Sequence, residues 1–301
     1  MRTPIDIDLS AARAARPRTL LGGLRALWVV AVLVAAASAC GRSDAPTAPA
    51  PDPTPVPTPV PAVLLKDIVI PRLPSPYYHF RYDATGRVDS VSFASGLTQY
   101  QVAYDEARGR IKELRNNIIV NHDRIVYSYD DVGRVVGVRY VNANGVTFTI
   151  VIFSYEGDKL TEVERSRAEE GGFIIDKTMS LSYDADGNLF ELAERRPAIL
   201  GVQDATSYVD RFEQYDQGLN VDGFSLLHDD FFDHLVLLPG VRLQKGNPRR
   251  QTHTGDGQNY TVDFTYTYDG DRPLTKTGEL TFTNGASAGQ RFQTLAQFSY
   301  Y

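Results

Sequence analysis

Apolar and polar positions alternate over short runs in this chain, and the runs come in pairs joined by a tight turn. The clearest pair is Tyr127-Ser-Tyr-Asp-Asp-Val-Gly-Arg-Val-Val-Gly-Val138. Tyr127 and Tyr129 lie two apart and so share one face of a strand. Asp130 can accept a hydrogen bond from the backbone two residues on, and Gly133 can take the positive φ that closes such a turn. Val135 to Val138 then supply a β-branched return strand. The phrase recurs at Tyr82-Asp-Ala-Thr-Gly-Arg-Val88, at Tyr104 to Ile111, at Phe153-Ser-Tyr155 before Leu160, and at Leu181-Ser-Tyr183 before Leu189. It returns in reduced form at Tyr215-Asp-Gln-Gly218 and last at Phe264 to Leu274. From Tyr82 the tyrosines are spaced 22, 25, 26, 28, 32 and 53 residues apart. A repeat of that size is one supersecondary unit per copy, here a β-hairpin.

The links between hairpins are short: Ala94 to Leu97, Asn116-Asn117, Asn142 to Gly145, Glu169 to Gly172. Short links at both ends of successive strands force an antiparallel up-and-down meander, with all the Tyr-Asp turns along one rim. The expected fold is therefore all-β, with about 14 strands curled towards a barrel. It opens with Asp67 to Ile70 and closes with Glu279 to Thr283 paired to Arg291 to Tyr301. The interval from Arg195 to Pro248 breaks the rhythm. Phe224, Leu227, His228, Phe231, Leu235 and Leu238 recur at helical spacing and predict one short amphipathic helix, Phe224 to Leu238, stopped by Pro239-Gly240. A helix inserted in a meander covers an open edge or plugs an open end.

Composition separates this domain from what precedes it. Residues 1–39 are expected to be an export signal: Arg13, Arg16, Arg18 and Arg25 lead into the apolar run Ala26 to Ala39, which is too short to span a bilayer as a helix. The run ends Ala37-Ser-Ala-Cys40, which resembles the lipobox of bacterial lipoproteins. That resemblance implies that Cys40 becomes the acylated N-terminus and the attachment to the membrane. Cys40 is the only cysteine, so an internal disulfide is excluded. Asp44 to Ala62 holds eight prolines. Residues 40–62 thus make a lipidated cysteine and a proline-rich tether, reaching about 50 Å as polyproline II, before the β domain at 63–301. After residue 39 the chain keeps 26 of its 31 Lys and Arg and 35 of its 37 Asp and Glu, a net charge near −9. Such a surface excludes nucleic acid as a partner.

Candidate chemistry is sparse. The chain contains no serine-hydrolase elbow, phosphate loop or metal-pair helix motif. Within His228-Asp-Asp-Phe-Phe-Asp-His234, Asp230 and His234 would stand one helical turn apart and could share a metal, but an exposed polar face opposite Phe224, Leu227, Phe231, Leu235 and Leu238 is the preferred explanation. Asp184-Ala-Asp-Gly-Asn188 has calcium-loop residue types without the spacing or distal glutamate of an EF-hand. No metal, cofactor or catalytic residue is expected, and the chain reads as a non-enzyme. The aromatic pairs Tyr127 and Tyr129, and Tyr266 and Tyr268, are either the core stripe of the sheet or a ligand-facing stacking platform.

The Tyr-Asp-x-x-Gly-Arg-Val phrases resemble the YD repeats of Rhs-type surface proteins, whose copies coil into a closed β-shell. Over residues 77–301 the chain is also similar to a group of uncharacterised bacterial lipoproteins with a porin-like fold. There the order is lipobox, Tyr-Asp hairpins, then Phe212-Glu-Gln-Tyr-Asp216, Lys245-Gly-Asn-Pro248 and Thr265-Tyr-Thr-Tyr-Asp269. The resemblance implies a meander curled towards a barrel and no known activity. The leading functional expectation is a lipid-anchored outer-membrane protein that binds a glycan, peptide or protein. An integral outer-membrane barrel is the alternative, since the chain ends Phe298-Ser-Tyr-Tyr301; an enzyme assembled from scattered residues is a third.

Overall fold

The computed structural model describes residues 63–116, 122–228 and 235–301. Sixteen strands follow in order: β1 (Leu65–Val69), β2 (Tyr78–Tyr82), β3 (Val88–Phe93), β4 (Thr98–Asp105), β5 (Arg110–Asn116), β6 (Arg124–Tyr129), β7 (Val135–Val141) and β8 (Thr147–Glu156). Then come β9 (Lys159–Glu169), β10 (Gly172–Tyr183), β11 (Leu189–Arg196), β12 (Thr206–Glu213), β13 (Arg250–Gly255), β14 (Tyr260–Asp269), β15 (Arg272–Phe282) and β16 (Arg291–Tyr300). Each pairs antiparallel with the next, and β16 returns to β1 through Ile68↔Phe298, so the sheet closes into a barrel. The meander agrees with the sequence. Closure goes beyond the expected curl, and 16 strands replace about 14. β12 lies inside the interval that breaks the repeat, where only the reduced phrase at Tyr215 follows it.

Every even strand runs into one rim, and there the repeated phrase shows its purpose. In the β2–β3 turn Asp83 Oδ1 accepts the backbone N–H of Thr85 and Arg87, and Arg87 Nε bonds Asp83 Oδ2. Asp130 does the same for Val132 and Arg134, over Gly133 at φ 87°. At each of these turns the register slips opposite the tyrosine, as between Ser128 and Tyr129, leaving an extra residue on the return strand. The bulge inverts the alternation, so inward residues there fall three apart: Val135 and Val138, Leu160 and Val163, Leu189 and Leu192 are all buried.

The tyrosine ring then crosses to the preceding strand. The hydroxyl of Tyr82 donates to the carbonyl of Leu65, Tyr104 to Val88, Tyr129 to Ile111, Tyr155 to Val135, Tyr183 to Leu160, Tyr215 to Leu189, Tyr266 to Pro248 and Tyr300 to Pro273, at 2.5–2.9 Å. The cation just before the accepting residue lies over the same ring: Arg87 on Tyr104, Arg110 on Tyr129, Arg134 on Tyr155, Lys159 on Tyr183, Arg272 on Tyr300. Each Tyr-Asp hairpin is thus latched to the one before it.

Burial pushes the hydroxyls of Tyr82, Tyr129 and Tyr155 up to about 12, against the opposing charge of Arg110 on Tyr129 and Arg134 on Tyr155. Folding therefore favours the neutral phenol. That stability is whole below the unfolded pKa near 10 and is lost as pH rises through the folded value. The melting temperature should fall between about pH 10 and 12, with tyrosinate absorbance developing late and alongside unfolding. Complete tyrosine ionisation by about pH 10.5 in a still-folded barrel would contradict the latch.

Of the segment joining β12 to β13, the described residues 214–228 and 235–249 turn into the barrel from this rim as a plug. Tyr127 donates to the carbonyl of Leu237 at 2.6 Å, and Tyr78 shares a hydrogen bond with His228 Nδ1 at 2.6 Å. Asp222 pairs with Lys276 of β15 at 2.9 Å, and Asn188 Oδ1 accepts the backbone N–H of Lys245 and Gly246. The expected helix from Phe224 to Leu238 is not formed in its described parts. Gly223–Leu227 is a single 3₁₀ turn and 235–238 is non-helical, while 229–234 lies outside the described residues. The apolar spacing serves packing on the wall: Phe224 packs edge-on against Tyr78 and Phe80, while Leu227 and Leu235 meet the wall together at Val151, Val163 and Met179. Between Leu227, Leu235 and the wall residues Val151, Val163 and Met179 the remaining void is about 10 Å³, so this part of the interior is filled.

Candidate binding mouth

The rim opposite the tyrosines is where odd strands end, and over β12–β16 the inward residues there are only half-buried. Residues facing one another in register share a side of the sheet. His253 faces Asp210 and Tyr260, Tyr260 faces Phe282, and Leu280 faces Phe292. This side continues into buried Val262 and Phe298, so it is the inner one. Five rings make a ladder across five strands: Tyr208 to His253 at 4.9 Å, His253 stacked on Tyr260 at 4.6 Å, Tyr260 to Phe282 at 6.4 Å and Phe282 to Phe292 at 5.6 Å. Phe292, at the end, is 51% exposed.

Hydrogen-bonding groups are interleaved with these rings. Asp210 Oδ1 takes bonds from Gln251 Nε2 and His253 Nδ1, both at 2.9 Å. An ionised carboxylate only accepts, so Nδ1 is the donor to Asp210. Burial and the neighbouring Asp210 charge raise the Tyr260 hydroxyl to about 12. Burial and a hydrogen-bonded Glu194 raise Tyr208 further. Deeper along β9 and β10, Arg165 and Asp176 form a buried bidentate pair at 2.8 and 3.1 Å beside buried Lys177. Gln203, in the β11–β12 link, bonds the carbonyls of Asp176 and Pro197. Such a wall can stack against and hydrogen-bond a ligand. Among the described residues no group of three or more His, Cys, Asp or Glu is placed to hold a metal.

The residues singled out from sequence lie elsewhere. Tyr127 is buried against the plug, and Tyr129 and Tyr266 give their hydroxyls to Ile111 and Pro248. Tyr268 donates to Asp216 Oδ2 and accepts from Asn247. All four belong to the tyrosine rim and its plug, not the open mouth. In the Asp184 turn, Asp184 Oδ1 accepts the N–H of Asn188, while the Asn188 side chain holds the plug. His228 sits among Tyr78 and Phe93. Asp230, His234, Cys40 and the tether lie outside the described residues. The ladder escaped sequence reading because its members are scattered from residue 208 to 292 and meet only through strand register. The available signal was weak: His253 and Tyr260 flank one turn, Tyr260 and Phe282 the next hairpin.

Together these features define the class: a closed, antiparallel 16-strand β-barrel of porin-like fold with an internal plug. Two crystal structures are similar to it in fold. A porin-like protein from Bacteroides uniformis aligns with TM-score 0.52 at 14% identity, over 74% of this chain and 89% of that one. A porin-like protein from Bacteroides vulgatus aligns with TM-score 0.52 at 13% identity, over 79% and 99%. No family model and no curated protein matches the sequence.

Proposed function

We propose that the chain is a non-catalytic cell-envelope protein, held to the outer membrane through Cys40 and the tether at 40–62, whose barrel binds a glycan, peptide or protein partner at its open mouth. One observation carries this reading: the two faces of the wall are the reverse of a spanning barrel's. Most inward positions are Tyr, Phe, Val, Leu and Ile packed as the core, with Arg165, Lys177, Asp210 and Gln251 as polar exceptions. Outward positions on β14 and β15 are Asp263, Thr265, Thr267, Thr275, Thr277 and Glu279. Ion pairs cross the outer surface, Arg211 to Glu191, Arg250 to Asp263 and Arg291 to Glu279, with Ile150 and Ile152 among the apolar exceptions. An Arg or Lys on the lipid face costs about 2–4 kcal/mol at the bilayer midplane.

An integral outer-membrane barrel is the second reading. The closed 16-strand sheet and the porin-like crystal structures favour it at the level of fold. The two readings part on solvent. Residues 63–301 made without detergent should be a folded, soluble monomer by light scattering and circular dichroism. A chain that precipitates, and folds only in micelles, would establish the spanning barrel instead. Turnover on a broad hydrolase panel would overturn the non-catalytic assignment.

A further inference from the structure

At the tyrosine rim the seam between plug and wall holds a cleft of about 160 Å³, bounded by the β8–β9 turn, Tyr183 and the plug at 240–245. Three cations line it: Lys159 from the start of β9, and Arg242 and Lys245 from the plug. Lys159 Nζ donates to the carbonyl of Gly187 at 3.2 Å, and Lys245 Nζ to that of Asp186 at 2.5 Å. Both ammonium groups stand 2.9 Å from the point that a Cβ on Gly187 would occupy, so at most twice that distance separates the two charges. Arg242 adds the third charge, its Nη2 donating to the carbonyl of Lys245 at 2.9 Å.

Elsewhere on this rim such cations are neutralised. Of the five that cover a tyrosine ring, Arg87 pairs with Asp83, Arg110 with Asp105, Arg134 with Asp130 and Arg272 with Asp269. Lys159 covers Tyr183 in the same way. Among the described residues, however, no carboxylate pairs with Lys159, Arg242 or Lys245; their partners are backbone carbonyls. The sequence of the β10–β11 turn explains this. Arg87 and Arg134 stand four residues after the aspartates they pair with, whereas the same place after Asp184 is taken by Asn188. Asn188 Oδ1 is occupied by the plug backbone, and Asp184 Oδ1 accepts the N–H of Asn188.

This arrangement selects its occupant. Asp158 is the one acid in the lining, so three positive charges face one negative, in a chain whose net charge is −6. Like charges held this close repel unless they share a counter-ion. Each ammonium keeps two N–H donors beyond its carbonyl bond, and an arginine fork matches two phosphate oxygens. A net of two positive charges suits a phosphate dianion. The cleft is smaller than the roughly 300–1,000 Å³ of pockets for larger organic ligands, so it admits a compact group.

We propose that this cleft binds a phosphate group, free or as a monoester, and that the bound anion ties the plug to the wall. The cleft lies at the rim away from the mouth, so its occupancy stands apart from either reading of the barrel. The test uses residues 40–301 with Cys40→Ser, in water or, if the chain folds only there, in micelles. Inorganic phosphate at about pH 8, where it is a dianion, should raise the melting temperature and shift amides at 157–160, 183–188 and 240–246. The variant R242Q/K245Q should bind at least about a hundredfold more weakly, while Lys112→Gln, exposed on β5, should bind as the parent does. If the double variant does not fold, the parent's amide shifts decide alone. No shift at these positions by about 10 mM phosphate would overturn the assignment. So would shifts spread over the surface, binding kept by the double variant, or binding weakened equally by Lys112→Gln. Vesicles containing phosphatidic acid then identify the carrier. Sedimentation displaced by free phosphate and lost in the double variant assigns a lipid headgroup, and any other result a soluble phosphate.

Discussion

Tyr127→Ala should destabilise the barrel by about 3–5 kcal/mol, measured by urea unfolding of residues 63–301. The ring is buried within the core on β6, between the wall and the plug. Its truncation leaves a cavity that strands tied on both sides by ladder bonds cannot close. It also strips the Leu237 carbonyl of its donor, and an orphaned buried acceptor adds about 1–3 kcal/mol where water does not reach it. Burial drives the Tyr127 hydroxyl well above its ordinary pKa, in keeping with a dry site. Tyr127→Phe separates the two contributions: it keeps the ring and should cost about 1–2 kcal/mol. An alanine variant losing less than about 1 kcal/mol would mean that the plug does not press on β6.

Gly246→Ala should be nearly as damaging, about 3 kcal/mol or more, and should act on the plug. A Cβ built at Gly246 overlaps the backbone carbonyl of Asp216. No rotamer relieves a clash between two backbones, so one strand of the plug must move. Movement breaks a tight set of bonds. Asn188 Oδ1 accepts from Lys245 and Gly246, Asp216 and Asn247 exchange bonds at 3.0 and 3.2 Å, and Tyr268 donates to Asp216. The expected signature is a lower melting temperature with faster amide exchange in residues 214–249 than in the β6–β9 wall. Uniform loss of protection across all strands would instead make plug and wall one cooperative unit. An unchanged melting temperature would show that Gly246 does not approach the Asp216 carbonyl so closely.

Both results bear on the proposed function through the same division. The tyrosine rim is latched and plugged, leaving the opposite mouth, with its aromatic ladder and Asp210–His253 pair, as the face proposed to meet a partner. Asp83 and Asp130 illustrate how local the latched rim is. Side-chain bonds from Thr85 and Arg87 hold the Asp83 carboxyl far below the usual range. Asp130 is held low by the backbone and guanidinium of Arg134 against the burial that opposes them.

Much of this was legible without coordinates because it is local. An aspartate, a glycine and a tyrosine within seven residues determine a turn, and turns with short links determine which strand lies beside which. The chain alone therefore yielded the hairpin unit, the antiparallel order and the single tyrosine rim. Tertiary structure decided what depends on distant partners. Whether β16 meets β1 rests on the coiling of all the strands between them, so closure and the final number of strands were out of reach. Residues 224–238 look helical by spacing, but Phe224 packs on Tyr78 and Phe80 of β2, whereas Leu227 and Leu235 meet Val151, Val163 and Met179 of β8 to β10. The mouth depends on register across β12 to β16, where Tyr208 and Phe292 have no local reason to meet. Turn chemistry is written in neighbouring residues; closure, filling and the binding wall come from contacts made across the whole barrel.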